Sequence, residues 1–178
     1  MSALTVRRAD PSDAEALAAL AAVTFPLACP PSMPAEDHRA FIAAHLTAAH
    51  FDTHVRTPGH LVDVLDESGM LVGYSLTLVG EPLDAELAVT LTDPARTGYL
   101  SKFYLHPDVQ GRGLAPRLMD AVVESARESG VGGLVLGVNG ENTRAQSFYR
   151  RMSFEVIGER TFTVGQRVEH DLVMHRKL

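Results

Sequence analysis

Residues Phe103-Tyr-Leu-His-Pro-Asp-Val-Gln-Gly-Arg-Gly-Leu-Ala115 carry the clearest chemical pattern in the chain. A strand-like apolar stretch enters a loop with two glycines, and the loop enters a helical repeat directly. The first amides of a helix have no partner within it, and the helix dipole adds partial positive charge there. Glycine lets the backbone approach a ligand closely. These features suit a phosphate or pyrophosphate, and Arg112 and Arg117 would add positive side chains. The same pattern also serves as a plain strand-to-helix turn in which glycine supplies only shape. Two other phosphate loops are excluded by residue identity. A Walker-type loop has Lys and Ser or Thr after its second glycine, where this chain has Leu114-Ala115. A dinucleotide fingerprint needs glycine at Pro116 and an acid closing the next strand, which ends in Asn139.

Asn142 and Tyr149 are seven residues apart, about two helical turns along nearly one face. Asn142 is a natural helix N-cap. A phenol with a pKa of about 10 is protonated at neutrality and can donate a proton. His106, followed by proline, reads as the close of a strand. Cys29 is the single cysteine; with no partnering His and Asp it does not read as a nucleophile. The eight histidines show no metal-ligand spacing, so no metal is expected.

These groups need a scaffold. Leu4–Arg8 reads as an edge strand, and Ser12-x-x-Glu15 as a capping box opening a helix over Ala14–Phe25. Four prolines between Pro26 and Pro34 exclude regular helix there. A helix resumes over Glu36–Leu46. His60–Asp66 and Met70–Val79 form a hairpin around Glu67-Ser68-Gly69. Leu87–Thr92 reads as a strand extension and Gly98–His106 as a strand. Leu114, Leu118, Val122 and Ala126 recur every four residues, the buried stripe of a helix over Leu114–Ser129. Leu134–Asn139 is a short continuous apolar run, as in a strand covered on both faces. A helix over Asn142–Met152 comes next, then a hairpin of Phe154–Thr163 and Arg167–His175 around Val164-Gly165-Gln166. The pattern predicts an α/β fold with a mixed sheet, and one domain over residues 1–178.

The net charge of −6 disfavours non-specific nucleic-acid binding and is compatible with a cationic acceptor. No apolar run reaches the roughly 18 residues of a membrane helix. The start of the chain lacks a secretory pattern, and a lone cysteine suits a reducing cytoplasm.

Gln110-x-x-Gly113-x-Ala115 resembles the Gln/Arg-x-x-Gly-x-Gly/Ala signature of the Gcn5-related N-acetyltransferases (GNAT). His106-Pro107-Asp108 before it is also typical of them. Asn142-x-x-Ala145-x-x-x-Tyr149 is similar to their second motif, although Ser153-Phe154 stands where Gly-Phe is usual. The resemblance spans essentially the whole chain. It implies an acyl-CoA N-acyltransferase fold: a mixed twisted sheet, helices on both faces and a splayed central strand pair. The co-substrate it implies is acetyl-CoA, with transfer to a primary amine in a ternary complex.

By the same resemblance, the pyrophosphate would sit on the amides of Gly111, Arg112, Gly113, Leu114 and Ala115, with Gln110 opening the motif. Pantetheine would pair with the strand around Phe103 and Leu105. Asn142 would bond a CoA amide, and Tyr149 would protonate the departing thiolate. Pro116 removes one amide donor but is tolerated in a first turn. Many members carry a basic glutamate on the strand before the loop. Tyr99-Leu100-Ser101-Lys102 has no carboxylate, and Glu81, Asp84 and Glu86 are the nearest upstream acids. That gap keeps a catalytically silent acyl-CoA-binding module in view, beside transfer of another acyl group. A homodimer is one assembly the resemblance leaves open.

Overall fold

The computed structural model describes residues 4–164 and 166–178. Its strands are β1 (Leu4–Arg8), β2 (His60–Glu67), β3 (Met70–Leu78), β4 (Thr97–Leu105), β5 (Gly133–Asn139), β6 (Glu155–Val164) and β7 (Arg167–Lys177). Its helices are α1 (Ala14–Ala28), α2 (Ala35–His45), α3 (Ala48–Arg56), α4 (Ala85–Ala88), α5 (Leu114–Glu128) and α6 (Thr143–Arg151). The β2–β3 hairpin, the α5 stripe and the two closing strands follow the sequence pattern. Gly165, in the expected turn between β6 and β7, lies outside the described residues.

Four local expectations are corrected. Helix α1 does not stop before Pro26 but runs on to Ala28. Pro26 lies in the last turn and forgoes one helical N–H···O bond there, while Phe25 stacks on Phe41 of α2 at 4.5 Å. The capping box lies two residues earlier than expected. Asp10 accepts from the Ser12 amide and Asp13 from the Asp10 amide, around a 3-10 turn that leads into α1. Helix α3 has no counterpart among the helices expected from sequence; only Phe51 in it is buried, against Tyr74. Leu87–Thr92 is no strand: Leu87 anchors the short α4 over Val135 and Val173, while Val89 is largely in solvent.

The seven strands are ordered β1-β2-β3-β4-β5-β7-β6. All neighbours are antiparallel except β4 and β5. Helix α5 returns the chain between these two, so they must run parallel. They pair only at Thr97–Gly133, Gly98–Leu134 and Tyr99–Val135. Beyond Tyr99, β5 stays with β7 along its whole length while β4 continues with β3. The central pair therefore splays and leaves one edge of β4 open.

A bulge at Ser101 shapes this region. Thr77 pairs with Leu100 and Leu76 with Lys102, so Ser101 has no opposite residue. The extra residue reverses the facing of every later residue on the strand. Leu100, Phe103 and Leu105 pack under α5 and α6, whereas Tyr104 packs under α1 to α3. Lys102, opposite Leu76, shares the face of Tyr104. Leu114, Leu118, Val122 and Ala126 are all buried, as their spacing requires. No helix among the described residues is long and apolar enough to cross a membrane.

Candidate active site

The loop after β4 is held by short-range bonds. The His106 amide donates to Val72 O at 2.8 Å, and its Nδ1 accepts from the Asp108 amide at 3.2 Å. His106 thus caps the turn. Buried Val109 pins the loop to the α5 face. Gly111 and Gly113 have φ of +77° and +72°, a left-handed conformation that glycine adopts at little cost. Gly113 is the N-cap of α5, so the unpaired amides of the first turn follow it at once.

A cavity of about 550 Å³ lies against this loop and enters the gap between β4 and β5. Gln110, Gly111, Gly113, Leu114 and Ala115 line one end. Phe103 and Leu105 line its β4 wall, and Asn142 and Tyr149 its α6 wall. The sequence-predicted residues therefore converge, with two exceptions, Arg112 and Arg117. Arg112 does not line the cavity; its guanidinium makes a two-pronged ion pair with Glu67 at 2.6 and 3.2 Å. Arg117 does not line it either, whereas Arg144 and Arg151 do. Arg144 donates to Gln110 Oε1 at 2.9 Å, tying α6 to the loop. Sequence reasoning missed both arginines; their signal was a position on α6 near Asn142 and Tyr149.

Asn142 caps α6, its Oδ1 accepting from the Ala145 amide at 3.0 Å. Its carboxamide nitrogen keeps its donors for a ligand. Tyr149 packs among Phe103, Phe148 and Phe154, with ring centroids 5.4–6.2 Å apart. Burial and then the nearby Tyr104 phenol push the Tyr149 pKa well up. Burial likewise pushes Tyr104 up to about 12. Both phenols stay protonated across the physiological range.

The cavity does not end on the α5 side. Thr24, Leu27 and Ala28 of α1 line it together with Tyr104. It thus reaches through the splayed pair to the opposite face of the sheet. Tyr104 is a further residue missed from sequence, because the bulge decides which way it faces. Deeper on that face, Arg160 pairs with Asp171 at 3.3 Å and lies over the Tyr99 ring. Gly137 makes room for it: a Cβ there would meet Arg160 Nη2 at 2.6 Å. Cys29 donates to Phe25 O at 3.2 Å, and burial raises its pKa to about 11, so it is a thiol.

The upstream acids separate by role. Asp84 caps α4, and Glu86 accepts from the Thr161 amide at 3.1 Å. Glu81 instead meets His60 Nε2 at 2.5 Å, and His60 Nδ1 lies 2.9 Å from His54 Nδ1.

Residues 16–154 match the model of the Acetyltransferase (GNAT) family. An uncharacterized N-acetyltransferase of Mycobacterium tuberculosis is 39% identical over 167 residues, covering 94% of this chain and 99% of the relative. The fold is similar to the PaiA N-acetyltransferase of Thermoplasma acidophilum, solved in complex with coenzyme A. There the TM-score is 0.78 at 17% identity, with 99% of each chain covered. It is also similar to the putative acetyltransferase YncA of Salmonella typhimurium, solved with its cofactor acetyl-CoA. That TM-score is 0.68 at 20% identity, with 99% of this chain and 95% of the other covered. The glycine loop, the splayed strands and these likenesses converge on one conclusion: the chain belongs to the GNAT family of N-acetyltransferases.

Proposed function

We propose that this enzyme transfers the acetyl group of acetyl-CoA to a primary amine of a small molecule or peptide, directly and within a ternary complex. The observation that carries this is the cavity through the sheet. It joins a phosphate-suited loop on one face to a region under α1, lined by Thr24, Leu27 and Ala28, on the other. Two substrates can enter from opposite faces and meet in the gap, with no covalent enzyme intermediate.

In this reading the pyrophosphate rests on the amides of Gly111, Arg112, Gly113, Leu114 and Ala115, where unpaired N–H groups and the α5 dipole favour negative charge. Gln110 shapes the loop through Arg144, and Arg144 and Arg151 supply the positive side chains. Arg112 contributes its amide while its side chain holds Glu67. Pantetheine pairs with the open edge of β4 around Phe103 and Leu105, as a strand adds to a sheet edge. The Asn142 carboxamide donates to it. The thioester then lies by Tyr149, which gives its phenolic proton to the leaving thiolate. Residues 1–178 act as one domain, and the cytoplasm, where acetyl-CoA is made and used, is its place of action.

A calorimetric titration with CoA, followed by a thiol-release assay over a panel of amines and peptides, tests this. Micromolar binding with amine-dependent release of thiol is the expected result. Binding without release for any acceptor would identify a silent acyl-CoA-binding module instead.

A further inference from the structure

The two ends of the cavity differ in chemistry. The charged side chains that line it among the described residues, Arg144 and Arg151, both belong to α6 on the CoA face. On the opposite face the lining is Thr24, Leu27 and Ala28 of α1 with Tyr104 of β4. No acidic side chain among the described residues lines the cavity at either end. Lys102 and Arg160 share the α1 face but lie outside the lining, and Arg160 is paired with Asp171. Asp171 and Glu169 are alternate residues of β7 and share one of its faces. Glu169 is engaged as well, accepting from Asn139 Nδ2 at 3.3 Å and facing Arg167 at 3.7 Å.

Leu27 stands out in this lining. It is 64% exposed, whereas Leu17 and Leu20 of the same helix are buried. Its place follows from the continuation of α1 past Pro26. Phe25 turns inward onto Phe41, and Leu27 and Ala28 border the cavity. A single exposed leucine is ordinary; this one walls a cavity that is continuous with the gap between β4 and β5. An ammonium or carboxylate brought against such a wall leaves water and finds no partner, which is unfavourable. A methylene laid on the same wall is removed from water, which is favourable.

We propose that the acceptor is a primary amine on an apolar, otherwise uncharged body, and that Leu27 and Ala28 select it. The proposal rests on the acetyltransferase reading above. The acceptor nitrogen lies in the gap beside Tyr104, and its body runs outward along the last turn of α1. A second ammonium on the acceptor would need a carboxylate there, and a carboxylate would need a cation. The lining of that end supplies neither, so both kinds of acceptor are disfavoured against a plain alkyl or aryl group.

The test follows thiol release by the full-length enzyme with acetyl-CoA and linear alkylamines from ethylamine to pentylamine. The diamine and the amino acid of the same chain length as pentylamine complete the panel. For the alkylamines kcat/KM should rise about fourfold per added methylene. The two acceptors with a terminal charge should fall roughly tenfold or more below pentylamine. Leu27→Asp should flatten the series and lower kcat/KM for pentylamine by roughly 10- to 100-fold. It should also turn the preference toward the diamine, with KM for acetyl-CoA unchanged. Val23→Asp, one turn earlier on α1, is also exposed but outside the lining, and should keep the wild-type series. A flat series in the wild type, or a preference for the diamine or the amino acid, would overturn the proposal. So would activity confined to charged peptide N-termini, or a Leu27→Asp series that matches the wild type. CoA binding without thiol release for any amine or peptide would instead overturn the acetyltransferase reading beneath it.

Discussion

Replacing Gly113 by valine separates a ligand-binding glycine from one that merely shapes a turn. Gly113 has φ +72°, so any side chain there costs about 1–2 kcal/mol of backbone strain. That cost falls on the free and bound enzyme alike; it lowers the melting temperature but cancels from the dissociation constant. A Cβ built on Gly113 meets no atom within 4 Å, so the free protein has room for it. The same room belongs to the cavity, where the pyrophosphate would lie. A valine side chain would hold the phosphate away from the first amides of α5. Each hydrogen bond to a charged group is worth about 1.5–3 kcal/mol. Losing two gives about 3–6 kcal/mol, or roughly 10²- to 10⁴-fold in Kd.

Gly69 provides the control. It has φ +88°, also with no atom within 4 Å of a built Cβ, but lies in the β2–β3 turn away from the cavity. Gly69→Val should lose similar stability and keep its CoA affinity. Calorimetric titration of both variants with CoA, beside their melting curves, gives the answer. A folded Gly113→Val that binds CoA as tightly as wild type would refute the pocket assignment.

Tyr149→Phe keeps the ring packed against Phe103 and Phe154 and removes only the hydroxyl. It should lower kcat by roughly 10- to 1,000-fold, within or just below the usual range for general acid catalysis. CoA affinity should hold, and an unchanged kcat where chemistry limits the rate would leave Tyr149 as a packing residue. Leu118→Ala should cost about 2–5 kcal/mol, measured by urea unfolding, because its side chain is fully buried between α5 and the sheet. The Arg7 guanidinium, bonded to Asp13 at 2.7 and 2.9 Å, holds that carboxyl below its usual value. Its contribution to stability is therefore present above the unfolded pKa, about 3.9, and is lost as pH falls through the lower folded one. Arg7→Met should flatten the acid side of the stability profile, with a smaller effect above neutrality than the geometry suggests because Arg7 is partly in water.

The parts of this protein legible in its sequence are those set by a few neighbouring residues. A strand, two glycines and a helix start fall within thirteen positions, Phe103 to Ala115. The α5 stripe repeats every four residues and is buried just there. Asn142 and Tyr149 share a helix face because helical geometry fixes their spacing. Helices α3 and α4 were hidden because each buries one residue, Phe51 or Leu87, and one apolar anchor makes no period. Pro26 misled for the opposite reason: packing of Phe25 on Phe41 outweighs one lost helical bond.

Register and crossover lay beyond the sequence, because they join residues far apart in the chain. The splay exists because β4 and β5 hold different partners past Tyr99. Tyr104 and Lys102 face the α1 to α3 side only because Ser101 is an unpaired bulge, which shows up only when β4 is laid against β3. Glu81 stands 21 positions from His60, and His60 six from His54, yet the three touch one after another because the β2–β3 hairpin and α3 fold back on one another. Propensity and periodicity act within a few turns of chain and so can be read from it. Which side chain meets which across a sheet depends on pairing free energies summed over many strands, and only the assembled fold decides them.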